Sequence, residues 1–326
     1  MKSSRVLLLL FFILHFVACN NDTEITILKN DCLYRSYGPL LVGQNINFSY
    51  ALAIPSSAGK LVAVQAKSSI PGGIATYFDP NSYYTNNSGQ DVGVLVAEPL
   101  ANDDYITSVR FIVDTCAATL RYFYNIPEEA RGQKVSFVFS GTASNGETVS
   151  YRMGPYQVSK MDLFLNVEIP NDSYLSFHGD DGISVYSKDD LPNASKDIDL
   201  IYSYRAISSQ VALRHSFLAP DLTALARYTP YFDDVTLPGN QSNTKLRIAP
   251  AQIRDQQLSS LQYGIFVDDP DFEALNMSSD GNSLINVLKE EGFWLETADK
   301  MYRAYVFVNA VTSNGGVTVS IKRYKI

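Results

Sequence analysis

The sequence predicts a mostly β protein: an immunoglobulin-like β-sandwich over residues 25–162, then a second β-rich domain over 163–326 with a few short helices. Three observations carry this. Apolar and polar residues alternate over short runs rich in Val, Thr, Tyr and Phe, turn dipeptides recur between those runs, and each half of the chain closes on a similar hairpin. Lys134-Val-Ser-Phe-Val-Phe139 alternates, and Val317, Val319 and Ile321 alternate with Thr318, Ser320 and Lys322. A period of two marks a half-buried strand. Pro71-Gly72-Gly73, Asn145-Gly146, Pro238-Gly239 and Asn314-Gly315 supply the turns.

The hairpins are SFVFSGTASNGETVSYR (136–152) and YVFVNAVTSNGGVTVSIK (305–322), which match around SNG and TVS. Each reads as strand, Asn-Gly turn and returning strand. A duplication would produce this match, and so would the general likeness of Asn-Gly hairpins. Either origin gives two β domains with a boundary near Lys160–Phe164. In the first half, short strands recur at about the 8–12 residue spacing of a sandwich. In the second, Leu200-Ile-Tyr-Ser-Tyr204, Tyr263-Gly-Ile-Phe-Val267 and Ala304-Tyr-Val-Phe-Val308 read as strands. Asp269-Pro270 reads as a helix start. Ser283 precedes Leu284, Ile285, Val287 and Leu288, which would share one helical face ahead of Glu290 and Glu291.

The N-terminus carries an address. Lys2 and Arg5 precede the apolar run Val6 to Val17, and the small Ala18 precedes Cys19. A basic segment, a short apolar segment and a small residue describe a signal peptide over 1–18. The run is well short of the roughly 20 residues that span a bilayer. FVAC resembles the bacterial lipobox, with Phe16 where leucine is usual, which implies that Cys19 is lipidated. Residues 19–24 then form a polar tether with acids at Asp22 and Glu24. This arrangement implies export and a lipid anchor at the outer membrane, with a lean toward the cell surface. Of the other cysteines, Cys32 and Cys116 could form a disulfide in an oxidising compartment or remain two buried thiols; spacing leaves both open.

The whole chain has 26 basic and 34 acidic residues. The leader takes two of the basic ones, leaving 24 against 34 and a net charge of −10. Such a chain, without a Lys/Arg cluster, is a poor nucleic-acid binder and is repelled by anionic headgroups. Membrane contact is therefore expected through the lipid on Cys19.

A family resemblance follows from longer stretches. ISVYSKDDLPNASKDIDLIYSY (183–204), Leu218-Ala-Pro220, NTKLRI (243–248) and YNIPEEARGQKVSFVFSGTASNGETVSYRMGPYQVSKMDL (124–163) are similar to Bacteroides surface lipoproteins. Those pair an N-terminal immunoglobulin-like domain with a C-terminal β-rich domain behind a lipobox. The resemblance implies architecture and location, and no site. By wider analogy such lipoproteins often hold glycans for import.

Chemistry-bearing motifs are sparse. HExxH, GxSxG, P-loop and CxxC patterns are absent, and no metal site or organic cofactor is expected. His178 lies in FHGDDG beside Asp180 and Asp181, which reads as a cation or acid/base loop or as a solvated turn; His215 reads as structural. Asp269 and Asp271 suit a helix N-terminus. A hydrolase would need two converging carboxylates with shifted pKa values, and no pair stands out.

Aromatic residues give the better lead, because sugar rings stack their apolar faces on Tyr or Trp while polar neighbours read the hydroxyls. ATYFDPNSYYTNNSGQD places Tyr77, Tyr83 and Tyr84 beside Asn81, Asn86, Asn87 and Gln90. RYTPYFDD places Tyr228, Tyr231 and Phe232 beside Arg227 and Asp233, and Trp294 follows Phe293. Tyr83, Tyr84, Asn86, Tyr228, Tyr231 and Trp294 are the candidate ligand-binding residues, set against the ordinary use of aromatics in strand packing. The expected function is non-catalytic binding of a polysaccharide or oligosaccharide. The alternative is a structural or adhesive lipoprotein with a protein partner, and a hydrolase is the third reading.

Overall fold

The computed structural model describes residues 27–100, 103–179, 182–191, 197–205, 214–239, 241–259, 264–312 and 314–326. The leader 1–18, the tether with Cys19, the pair Asp180 and Asp181, and Tyr263 lie outside the described residues. The first half forms β1 (Lys29–Arg35), β2 (Asn45–Ala53), β3 (Leu61–Ser68), β4 (Tyr77–Thr85), β5 (Asp91–Leu95), β6 (Ala97–Pro99), β7 (Ile106–Phe111), β8 (Ala117–Asn125), β9 (Lys134–Ala143) and β10 (Thr148–Gln157). These pair antiparallel into two five-stranded sheets, ordered β1-β2-β8-β4-β5 and β10-β9-β3-β7-β6.

The alternation at Lys134–Phe139 is the inward face of β9. Its buried Val135, Phe137 and Phe139 meet Phe48, Tyr50 and Tyr122 of the facing sheet. Phe48 lies 4.9 Å from Phe137 and Tyr50 lies 5.1 Å from Phe139, ring centre to ring centre. Each such burial contributes about 1.5–3 kcal/mol, and the two facing sheets make the immunoglobulin-like sandwich. The Asn145-Gly146 turn joins β9 to β10, with Gly146 at φ 89°, open to glycine without steric cost. Just past it, the Glu147 carboxylate accepts the N–H groups of Ile27 and Leu28 at 3.1 and 2.8 Å. β1 starts at that end of the sandwich, and β10 leads away from it to the opposite end, where the second half begins.

The second half contains β11 (Asp162–Ile169), β12 (Ser173–Gly179), β13 (Gly182–Tyr186), β14 (Leu200–Ser203), β15 (Ser216–Leu218), helix α1 (Leu222–Ala226), β16 (Lys245–Ile248), helix α2 (Asp269–Glu273), β17 (Ser283–Leu284), β18 (Gly292–Glu296), β19 (Tyr302–Val311) and β20 (Val317–Lys325). Two more five-stranded sheets result, β11-β20-β19-β18-β16 and β13-β12-β14-β15-β17. Their inner faces meet around Phe217, Phe293, Val306 and Ile321. The outer face of the first of these sheets is covered by the chain between β16 and β17. Leu258, Val267, Phe272 and Met277 close over Trp294, Tyr305 and Tyr324, joined by Leu41 and Met161 from the junction of the two halves. Fully buried Lys322 donates to Asp255 Oδ2, Gln257 Oε1 and the Val267 carbonyl at 2.6–2.7 Å, so each ammonium proton has a partner.

Several expectations need correction. The stretch after Ser283 is no helix: Ser283–Leu284 pairs with β15, and Asn286 and Glu290 take φ 55° and 67°, which interrupts any helix. Ile285 and Leu288 point to solvent while Val287 is buried, so the apolar residues share no face. Residues 264–267 form no strand: Ile265 makes one isolated bridge, and Val267 N–H donates to Asp255 Oδ2. The Asp269 helix starts one residue earlier. Asp268 is its cap, boxed by Asp271, and Asp269 instead accepts from Ser159 Oγ at 2.5 Å and Lys160 N–H at 3.0 Å, fastening the helix to the junction.

Candidate functional site

Short side chains on β2 and β8 open a hollow of about 480 Å³ on the outer side of the first sheet. Ile46, Phe48, Tyr50 and Leu52 of β2 are buried, so Asn47, Ser49, Ala51 and Ala53 face outward. β8 sends Leu120, Tyr122 and Tyr124 inward. Ala51 stands opposite Thr119 and Ala53 opposite Ala117. Where an exposed sheet face ordinarily carries long polar side chains, this one has a flat floor of methyl and hydroxyl groups. Lys29 and Asp31 of β1 edge it on one side, and Ser82, Tyr83 and Tyr84 of β4 on the other.

Tyr83 is held in place. The Arg121 guanidinium lies 3.8 Å over its ring, and its hydroxyl donates to Asp79 Oδ2 at 2.6 Å. Arg121 is in turn ion-paired with Asp91. Despite partial desolvation, hydrogen bonds from Tyr83 and Asn81 hold the Asp79 carboxyl below its usual range, and donating its hydroxyl to that carboxylate pushes the Tyr83 phenol up. Alternation along β4 puts Tyr84 on the other side of the strand, where it is 56 % exposed at the margin of the hollow. Asn86 is spent on its own turn, its Oδ1 accepting from Ser88 and Gln90 N–H groups.

The other candidates do not join this cluster. Tyr228 and Tyr231 are half-buried on the second domain, packed with buried Phe232 on the core of β12, β14 and β15. Trp294 is only 5 % exposed, wedged between Phe272 and Tyr305, so it cannot stack on a ligand. Cys32 and Cys116 are free, half-buried thiols. Cys32 stands opposite Tyr50, which stands opposite Leu120. Cys116 is therefore two strands across and four residues along, far outside the roughly 7 Å between Cα atoms that a disulfide tolerates.

The partners of His178 and a second cavity went unread in the sequence. His178 Nε2 sits 3.2 Å from Asp199 and 3.7 Å from Asp299, tying β12 to the turn before β19. Burial pushes Asp199 up to about 6, whereas hydrogen bonds from Thr297 and Met301 outweigh partial desolvation and lower Asp299. These two carboxylates converge, yet they line none of the cavities described here. His215 is structural as expected, buried and paired through Nδ1 with the Tyr202 hydroxyl at 2.7 Å. A second cavity, about 610 Å³, lies at the junction between Arg35, Tyr156, Lys160, Asp268 and Glu273. Among the described residues, no group of three or more His, Cys, Asp or Glu side chains could hold a metal ion. No described helix is long and apolar enough to cross a membrane.

Fold and site define a two-domain antiparallel β protein with an immunoglobulin-like sandwich in front. Residues 25–158 match the family described as Domain of unknown function (DUF4466), and residues 159–326 match Domain of unknown function (DUF8576). The crystal structure of a DUF4466 family protein from Parabacteroides merdae is similar at 46 % identity and TM-score 0.83, over 92 % of this chain and 99 % of that one. The chain belongs to this family. The major pilin subunit BcpA of Bacillus cereus shares 8 % identity at TM-score 0.28, over 58 % of this chain and 64 % of that one. A C-terminal fragment of the major pilin of Streptococcus agalactiae shares 9 % at TM-score 0.28, over 56 % and 73 %. Both are too distant to carry an argument. No curated protein matches the chain.

Proposed function

We propose that this is a lipid-anchored cell-envelope protein, attached through Cys19 at the outer membrane and facing the cell surface, whose first domain binds a glycan without catalysis. The observation that carries the binding reading is the floor of Ala51, Ala53, Ala117 and Thr119 beside a Tyr83 ring already fixed by Arg121 and Asp79. A flat apolar strip edged by a rigid phenol and by Lys29 and Asp31 suits a sugar, whose ring faces are apolar and whose rim is hydroxyl. Affinity electrophoresis of residues 20–326 through gels holding plant, mucin and microbial glycans tests it. Retardation that Tyr83→Ala weakens supports the reading, and free migration in every gel sinks it. Incorporation of labelled palmitate, abolished by Cys19→Ala, tests the anchor.

One observation favours the structural or adhesive alternative. β5 is an edge strand whose Val94 and Leu95 are 49 % and 56 % exposed, and such edges recruit a strand from a partner. Crosslinking on intact cells separates it from the glycan reading. The hydrolase reading finds two converging carboxylates at His178, but they line neither of the two cavities described above.

A further inference from the structure

The hollow at Tyr83 is one end of a longer feature. Strand pairing fixes what else shares the outer side of that sheet. Asn47, Ser49, Ala51 and Ala53 stand opposite Phe123, Arg121, Thr119 and Ala117. Tyr34 of β1 stands opposite Ser49, and Tyr77 of β4 stands opposite Phe123. The Tyr77 and Phe123 rings stack 4.9 Å apart and 14° from parallel, and Tyr77 remains 46 % exposed. Tyr34 is 44 % exposed on the opposite flank. An aromatic plate thus lies toward the second domain, the hollow lies toward the other end, and a third ring borders the side. Between plate and hollow the face holds Ser49 and Arg121, which is folded over Tyr83, with Asp79 and Asn81 of β4 alongside.

From Ala117 to Phe123 is six residues along β8, about 20 Å at roughly 3.3 Å per residue. A disaccharide seated in the hollow would leave the plate bare. The charges along this strip are mixed in sign: Arg121 is paired with Asp91 and acts on Asp79, and Lys29 shares the outer face of β1 with Asp31. The strip offers no cluster of free cations for uronate or sulfate groups.

Resting on the glycan reading above, we infer that the ligand is an extended, neutral polysaccharide lying along β8 from the hollow to the Tyr77–Phe123 plate and held by its internal units. The ends of such a chain project past both ends of the sheet, so a terminal sugar is not what the site recognises. Bulky aromatics at separated stations set by one rigid sheet favour a straight chain over a compact branched one.

The test uses residues 20–326 in gels of neutral β-glucan, xylan and mannan, alongside polygalacturonate and heparin. Di-, tetra- and octasaccharides of the retarding polymer then serve as competitors. The inference expects retardation by a neutral polymer, with the octasaccharide competing at least about ten-fold better than the disaccharide. Tyr77→Ala and Tyr83→Ala should each weaken retention about five-fold, the size of one aromatic contact. Unchanged melting temperatures of both variants exclude misfolding as the cause. Retention that Tyr83→Ala weakens but Tyr77→Ala does not, or a disaccharide competing as well as the octasaccharide, overturns the extended track while leaving the hollow as a glycan site. Retardation by the acidic polymers alone overturns the neutral class. Free migration in every gel overturns both this inference and the reading it rests on.

Discussion

The outer faces of two sheets make an instructive pair. The sheet β1-β2-β8-β4-β5 of the first domain and the sheet β11-β20-β19-β18-β16 of the second both carry aromatics on their outer sides: Tyr34, Tyr77, Tyr83 and Phe123 in one, Trp294, Tyr305 and Tyr324 in the other. In the second domain the chain between β16 and β17 lies over that face and turns its aromatics into core. Tyr305 becomes wholly buried and donates its hydroxyl to the Ile253 carbonyl. In the first domain the aromatics stay half-exposed. Residue type on a sheet face therefore does not decide between core and binding surface; what the connecting chain does elsewhere decides it.

Perturbing the covered face should have the largest effects. Lys322→Ala leaves Asp255 as a buried charge without its counter-ion and should cost about 3–5 kcal/mol, read by chemical denaturation. A loss below about 1 kcal/mol would mean that the cover is held by packing alone. Phe272→Ala removes the ring that stacks on Tyr324 and backs Trp294, and should cost about 3 kcal/mol with a rise in Trp294 solvent exposure by fluorescence quenching.

An intermediate effect is expected at Asp199. Its folded pKa of about 6 lies above the unfolded value of about 3.9. The stability tied to its protonated form is therefore full below pH 4 and lost as pH rises through 6. Relative to Asp199→Asn, the natural protein should lose about 2 kcal/mol between pH 4 and 6.5 in paired thermal melts, and parallel curves would remove this site from the pH response. The smallest stability effect belongs to the margin of the open sheet. Tyr84→Ala should change stability by no more than about 0.5 kcal/mol, and a larger loss by denaturation would mean that this edge is packed, as in the second domain.

Much of this was legible in the sequence. Period-two runs and Asn-Gly turns placed β9, β10, β19 and β20 because their pattern reflects local burial. The covered face was illegible: its cover comes from a segment with little regular structure, whose apolar residues are placed by Lys322 and Asp255 rather than by any period. The false helix after Ser283 arose from apolar spacing that matched a helical face by coincidence, while Leu284 was claimed by β15. At the site, Tyr83 could be named because its segment is too polar for a core strand. Phe123 could not, since Leu120-Arg121-Tyr122-Phe123-Tyr124 carries aromatic rings on both sides and gives no sign of which ring points outward. Arg121 drew no notice because its role needs Tyr83 from a strand nearly forty residues away.

The two ends of the first sandwich have a mechanical meaning. Ile27 and Leu28 are clasped by Glu147 at one end, and Ser159 and Lys160 are clasped by Asp269 at the other. A pull between the segment before Ile27 and the second domain therefore runs parallel to the strands, while the ladder hydrogen bonds lie across it. Such a load is shared by whole strands in shear instead of opening one bond after another. The sandwich thus resists tension along the line from Ile27 to Ser159.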